Sequence, residues 1–131
     1  MPDREYAKDL LIMARKDFDA LRGMLSSEFF ADEIFGFHAQ QAIEKSLKAW
    51  LVLLSIDFPL THDLSRLIAL LEDARADSVT TYLPLVEFNV YAVQARYQAG
   101  FLDDEEELDR PAIVADVHAL MLEVETLHAR G

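Results

Sequence analysis

The chain has 131 residues, no cysteine and a formal net charge of -12, which excludes disulfides, thiol catalysis and thiolate metal sites. The same charge argues against DNA or RNA coating, which needs a cationic footprint, and fits either plain solubility or a partner with a basic face. Hydrophobic residues make up 52%, with only four Gly and four Pro, so a single helix-rich domain over residues 1–131 with its own core is expected.

The opening stretch MPDREYAKDLL lacks the apolar core and small-residue cleavage site of a signal peptide. No apolar run approaches the length of a membrane span. A cytoplasmic protein without a membrane anchor is therefore the expectation. The first helix is predicted from Arg4 to about Leu25, with Tyr6, Leu10, Met13, Phe18, Leu21 and Leu25 near helical spacing. Gly23, Ser26 and Ser27 then signal a turn. The second helix is predicted from about Phe30 to Leu54. Its stripe is Phe35, Ala39, Ala42, Ile43, Ser46, Trp50, Leu53 and Leu54. Pro59 stops it, because proline lacks a donor and disfavours helical geometry at Phe58.

Thr61 or Asp63 is expected to cap a short third helix by accepting a bond from a free backbone N–H. Leu64, Leu67, Ile68 and Leu71 would be its buried face. The fourth helix is predicted from about Thr80 to Gln98, with Val86, Val90, Val93 and Tyr97 as its stripe and Pro84 confined to its first turn. A strand over VEFNVYAV is disfavoured by the 3–4 spacing. Gly100 would end this helix, and Asp103–Glu107 reads as a solvated acidic run. The fifth helix is predicted to begin near Asp109, with Ile113, Val117, Leu120, Val124 and Leu127 facing inward. The expected fold class is all-α, an antiparallel up-and-down bundle of four to five helices.

Two polar files carry the candidate chemistry. His38, Gln41, Lys45 and Lys48 are offset by 3, 7 and 10 residues. At about 100° per residue they share a band of roughly 80° flanking the apolar stripe. Asn89 and Arg96 are seven apart and share a face of the fourth helix, and Arg offers a rigid fork for phosphate or carboxylate. Tyr97 lies beside Arg96, on the apolar stripe. His62 precedes the third helix, where free N–H groups favour anions. Each of these also has a plain structural reading: lysine stems packed on the bundle, an Arg paired with an acid, a cap beside a surface His. A zinc-protease helix motif is absent. The only Glu-x-x-His match, Glu125 to His128, stands alone and does not make a di-iron site. There is no Gly-rich phosphate loop and no serine elbow. Neither a metal nor a cofactor is expected.

The block Phe37-His38-Ala39-Gln40-Gln41-Ala42-Ile43-Glu44-Lys45-Ser46-Leu47-Lys48-Ala49 strongly resembles the long helix of HEPN-domain proteins. Thr61-His62-Asp63-Leu64 resembles the next block of that family, and Val93-Gln94-Ala95-Arg96-Tyr97 its Ala-Arg-Tyr-Pro block. The three blocks stand in the right order from about Phe37 to Gln98, and the flanking helices extend the match to nearly the whole chain. The resemblance implies a helical bundle that pairs into a homodimer. It also implies one of two roles. One branch assists a minimal nucleotidyltransferase, encoded beside it or fused to it, by helping to bind nucleotide or substrate. The other comprises metal-independent ribonucleases, which carry an Arg, four to six further residues and then a His.

This chain departs from the nuclease pattern. After Arg96 the next histidine is His118, and seven residues separate Arg110 from His118. RNA cleavage through a 2′-hydroxyl needs a group to move protons, and the residue expected to do so is missing. A further departure is Gln98, where the nucleotidyltransferase-associated branch usually has Pro. The sequence therefore favours a nucleotide- or substrate-binding partner of a separate minimal nucleotidyltransferase chain, as in a prokaryotic toxin–antitoxin-type pair. In this reading His38, Gln41, Lys45, Lys48, His62, Asn89, Arg96 and Tyr97 are ligand contacts, with Lys45, Lys48 and Arg96 on phosphate and no catalytic residue assigned. The alternatives are a ribonuclease toxin and a purely structural acidic adaptor.

Overall fold

The computed structural model describes residues 2–26, 28–92 and 108–130. Helix α1 spans Arg4–Gly23, α2 Asp32–Leu53 and α3 Leu64–Asp73. A 3-10 helix, η1, covers Val79–Tyr91, and α4 covers Arg110–Arg130. No strand occurs among the described residues, so the all-α expectation holds. Among them, no helix is long and apolar enough to cross a membrane.

Asp3 caps α1 by accepting from the Tyr6 N–H at 3.0 Å. The buried stripe of α1 is Ala7, Leu11, Ala14, Phe18 and Leu21, spaced 4, 3, 4 and 3. This corrects the predicted face by one residue in its first half. Tyr6 and Met13 point outward, because their small neighbours Ala7 and Ala14 take the inner positions and let α2 approach closely.

The second helix is the centre of the bundle. Thirteen of its 22 residues are buried, more than one amphipathic face supplies, so neighbours must cover it on several sides. It packs against α1, α3, η1 and α4. The predicted stripe is buried from Phe35 to Trp50, Leu53 is half-buried and Leu54 is exposed. The chain leaves α2 through a left-handed Ser55, with the Ile56 N–H donating back to the Leu51 carbonyl at 2.9 Å. Helix α3 ends the same way, at Arg75. Its Asp63 cap and its buried Leu64, Leu67, Ile68 and Leu71 match the sequence reading.

The fourth element differs from its prediction. It is a 3-10 helix ending at Tyr91, and Ala92 is extended. The part of the prediction beyond Ala92 lies outside the described residues. Its buried side chains are Val79, Tyr82, Leu85 and Phe88, a strict period of three that matches three residues per turn. Val86 is only half-buried and Val90 is exposed. Pro84, inside the element, removes one donor from any α-type ladder.

Contacts fix the directions. Tyr82 meets Trp50 edge-on at 6.2 Å, whereas Tyr91 lies over Gly36, so η1 runs against α2. Arg4 and His128 exchange side chain-to-carbonyl hydrogen bonds, while Arg110 near the start of α4 donates to the Met24 carbonyl at 2.9 Å. Helix α4 therefore runs against α1. Arg110 also donates to the Phe30 carbonyl at 2.6 Å and to Asp32 at 3.0 Å, with its guanidinium 5.0 Å from the Phe35 ring centre. The arginine set aside as a nuclease residue is thus a clamp joining three helix ends.

Candidate functional site

The polar file of α2 is not an open row of cations. His38, Gln41, Lys45 and Lys48 do share one side of the helix, as helical geometry requires, but each is engaged inside the bundle. On α1, nearly two turns before its end, Asp17 receives two of them. His38 Nδ1 lies 2.9 Å from its Oδ1 and Lys45 Nζ 2.7 Å from its Oδ2. A carboxylate is acceptor-only, so His38 donates through Nδ1–H.

Glu44, on α2 itself, is the second acceptor and is 4% exposed. Its Oε1 accepts from Gln40 at 2.9 Å and from His62 Nδ1 at 2.9 Å; its Oε2 accepts from Lys48 at 3.0 Å. Gln41 joins the chain by donating to Gln40 Oε1 at 2.7 Å. Lys48 Nζ also stands 5.8 Å from the Phe58 ring centre, so the loop after α2 covers it. Burial alone pushes the Glu44 carboxyl upward. The hydrogen bonds from Gln40, Lys48 and His62, with the Lys48 charge, outweigh that and hold it below the ordinary carboxylate value.

Asn89 belongs to a separate group, at the start of α3 beside His62. Its Oδ1 accepts from the Leu64 N–H at 2.7 Å and its Nδ2 donates to Asp63 at 2.9 Å. It is therefore a second cap for α3, supplied by η1, and fastens the two elements beside His62. Replacing Asn89 by alanine leaves the Leu64 N–H without its acceptor. The expected cost is about 1–2 kcal/mol of folding stability, measured by denaturant unfolding. Asn89→Asp, which keeps the acceptor but faces Asp63, should recover only part of it.

The structure thus sets the six in three separate hydrogen-bonded groups along a polar seam: His38 and Lys45 on Asp17, Gln41 (through Gln40), Lys48 and His62 around Glu44, and Asn89 on Asp63 and the Leu64 N–H. It offers two of the cations already neutralised: the Lys45 and Lys48 side chains are 19% and 14% exposed, and each faces a carboxylate. His62 differs, with a side chain 64% exposed. Its Nδ1 is committed to Glu44, which leaves Nε2 facing outward. Arg96 and Tyr97 lie outside the described residues. Sequence reasoning passed over the three groups that organise the seam: Asp17, Gln40 and Glu44. The spacing Gln40, Glu44, Lys48 is an i, i+4, i+8 ladder that sequence could have flagged. The role of Asp17 depends on how α1 packs, and no local pattern encodes it.

Comparison with known proteins agrees with the block resemblance. A family model described as HEPN domain matches residues 7–125. No curated protein and no solved structure matches the chain.

Proposed function

Because this chain belongs to the HEPN-domain family over residues 7–125, whose functions are nucleotide-related or ribonuclease-like, we propose that it is a non-cutting member: a nucleotide- or substrate-binding partner of a minimal nucleotidyltransferase. It would act as a homodimer alongside that separate chain. One observation carries the choice of branch. The six residues after Arg96 are Tyr, Gln, Ala, Gly, Phe and Leu, so the histidine that a HEPN ribonuclease places there is missing. The next one, His118, is stacked on Phe18 of α1 at 5.1 Å, which supports a packing role for it.

Within this reading His38, Gln41, Lys45 and Lys48 hold the bundle in shape. His62 presents its outer nitrogen at the start of α3, toward the partner chain or its substrate, while Arg96 and Tyr97 are proposed contacts on the sequence blocks alone. Calorimetry with ATP, GTP and CTP, on this chain alone and with the nucleotidyltransferase encoded beside it, tests the reading. Binding in either state supports it, and absence of binding in both overturns it.

The neutralised lysines favour a second reading, in which the domain is an acidic adaptor acting by contact alone. Both readings make Lys45 structural. Lys45→Ala leaves Asp17 without its cation in a largely covered site, and about 1–2 kcal/mol of stability should be lost. A melting temperature unchanged by this substitution would return Lys45 to the ligand contacts. Only the binding reading predicts nucleotide heats.

A further inference from the structure

At the opposite end of α2 from Gly36 lies a cavity of about 880 Å³, between the ends of α2 and α3 and the last three turns of α4. That is within the range of small-molecule sites, roughly 300–1,000 Å³. Its wall includes Trp50, Leu54, Leu122 and Leu127. Leu54 and Leu122 are 39% and 48% exposed, so apolar surface is left uncovered inside a concavity.

Arg75 and Arg130 also line it. Both are exposed, and neither guanidinium hydrogen-bonds or ion-pairs with another described residue. They contrast with Lys45, Lys48 and Arg110, which are all engaged. Across the wall stand Asp77 and Glu123. The Glu123 carboxylate already accepts from the Tyr82 hydroxyl at 2.6 Å and from Ser78 Oγ. Those donors fix its orientation, and each oxygen keeps a second lone pair. The cavity is therefore bipolar, with guanidinium donors, an apolar wall, and a positioned carboxylate acceptor.

We propose that this cavity binds a nucleotide, with its phosphates on Arg75 and Arg130, its base against Leu54, Leu122 and Leu127, and the donors of the base edge on Glu123. The inference rests on the nucleotide-binding reading above and moves the ligand from the neutralised file of α2 to this cavity. Arg forks suit phosphate oxygens. A carboxylate best complements a base edge with two adjacent N–H donors, which guanine has and uracil lacks.

Calorimetric titration of the whole chain with GTP, UTP and inorganic tripolyphosphate tests the assignment. The unsubstituted protein should bind GTP at least about tenfold tighter than UTP or tripolyphosphate. The double variant Arg75→Gln/Arg130→Gln should weaken GTP binding by about 10- to 100-fold while its thermal unfolding stays unchanged. GTP binding that survives the double variant, or that UTP or tripolyphosphate equals, would overturn the cavity assignment and leave the nucleotide-binding reading standing. If no nucleotide binds the unsubstituted chain, with or without its partner, both fall together.

Discussion

Replacing Glu44 by alanine is expected to cost about 3–5 kcal/mol of folding stability, seen as a fall in melting temperature of roughly 10 °C or more for a domain of this size. The reason is the company Glu44 keeps. Its carboxylate is the shared acceptor of Gln40, His62 and Lys48, and Lys48 is itself mostly covered. Removing the carboxylate leaves an unpaired ammonium in a site with little water. Unpaired buried charge is far more costly than the pair is favourable. Glu44→Gln keeps an acceptor for Gln40 and His62 but turns an amide toward Lys48, so it should lose a large part of the same stability. Adding Lys48→Met to Glu44→Gln should return much of that loss, because the stranded charge is then gone; additive losses would show that the two side chains are not coupled.

The same residue gives a pH signature. Its folded-state pKa is lowered from the ordinary 4.5. A carboxyl that is more acidic when folded contributes stability at pH above about 4.5, and that contribution is lost as pH falls through the lowered folded value. Unfolding free energies between pH 7 and pH 3 should therefore fall more steeply for the unsubstituted chain than for Glu44→Gln. Parallel curves would mean that Glu44 titrates alike in both states.

The second large effect is at Gly36. It lies on the buried face of α2, and a Cβ added there would fall inside the van der Waals envelope of the Tyr91 ring. That ring closes the end of η1 and meets Phe88 at 5.8 Å between ring centres. An alanine in a helix is intrinsically better than glycine by about 1 kcal/mol. Overpacking against a ring held at its root costs about 1–3 kcal/mol. Gly36→Ala should thus destabilise the protein. In a Tyr91→Ala background the overlap is removed and the sign should reverse, leaving only the helix preference. The pair of unfolding curves decides between a steric role for Gly36 and a merely tolerated glycine.

These two residues show where sequence reading succeeds and where it stops. The periodicity of α3 identified its buried face, because it has one clear apolar stripe; in α4 it found Val117, Leu120 and Val124, but Ile113 and Leu127 are only half-buried and the buried Met121 was missed. In α1 two adjacent stripes compete. The choice of Ala7 and Ala14 over Tyr6 and Met13 is made by the close approach of α2, which no local pattern contains. In η1 the residues Val79, Tyr82, Leu85 and Phe88 were visible at intervals of three, but they were read with the α-helical period and gave Val86 and Val90. Pro84 was the signal for the tighter helix.

The candidate site divides in the same way. That His38, Gln41, Lys45 and Lys48 share a side of α2 follows from spacing alone. That Asp17 and Glu44 neutralise the two lysines depends on packing and on burial, and these decide whether a cation is a ligand contact or part of the scaffold. The cavity near Arg75 and Arg130 was not legible at all, since three separate helix ends build it.

The central proposal is that this HEPN domain binds and does not cut. Incubation of the purified protein with single-stranded RNA in the presence of a metal chelator tests that claim most directly. Intact RNA, identical for the unsubstituted chain and for Arg96→Ala, is the predicted result. Cleavage by the unsubstituted chain that disappears in Arg96→Ala would contradict it and assign the protein to the ribonuclease branch.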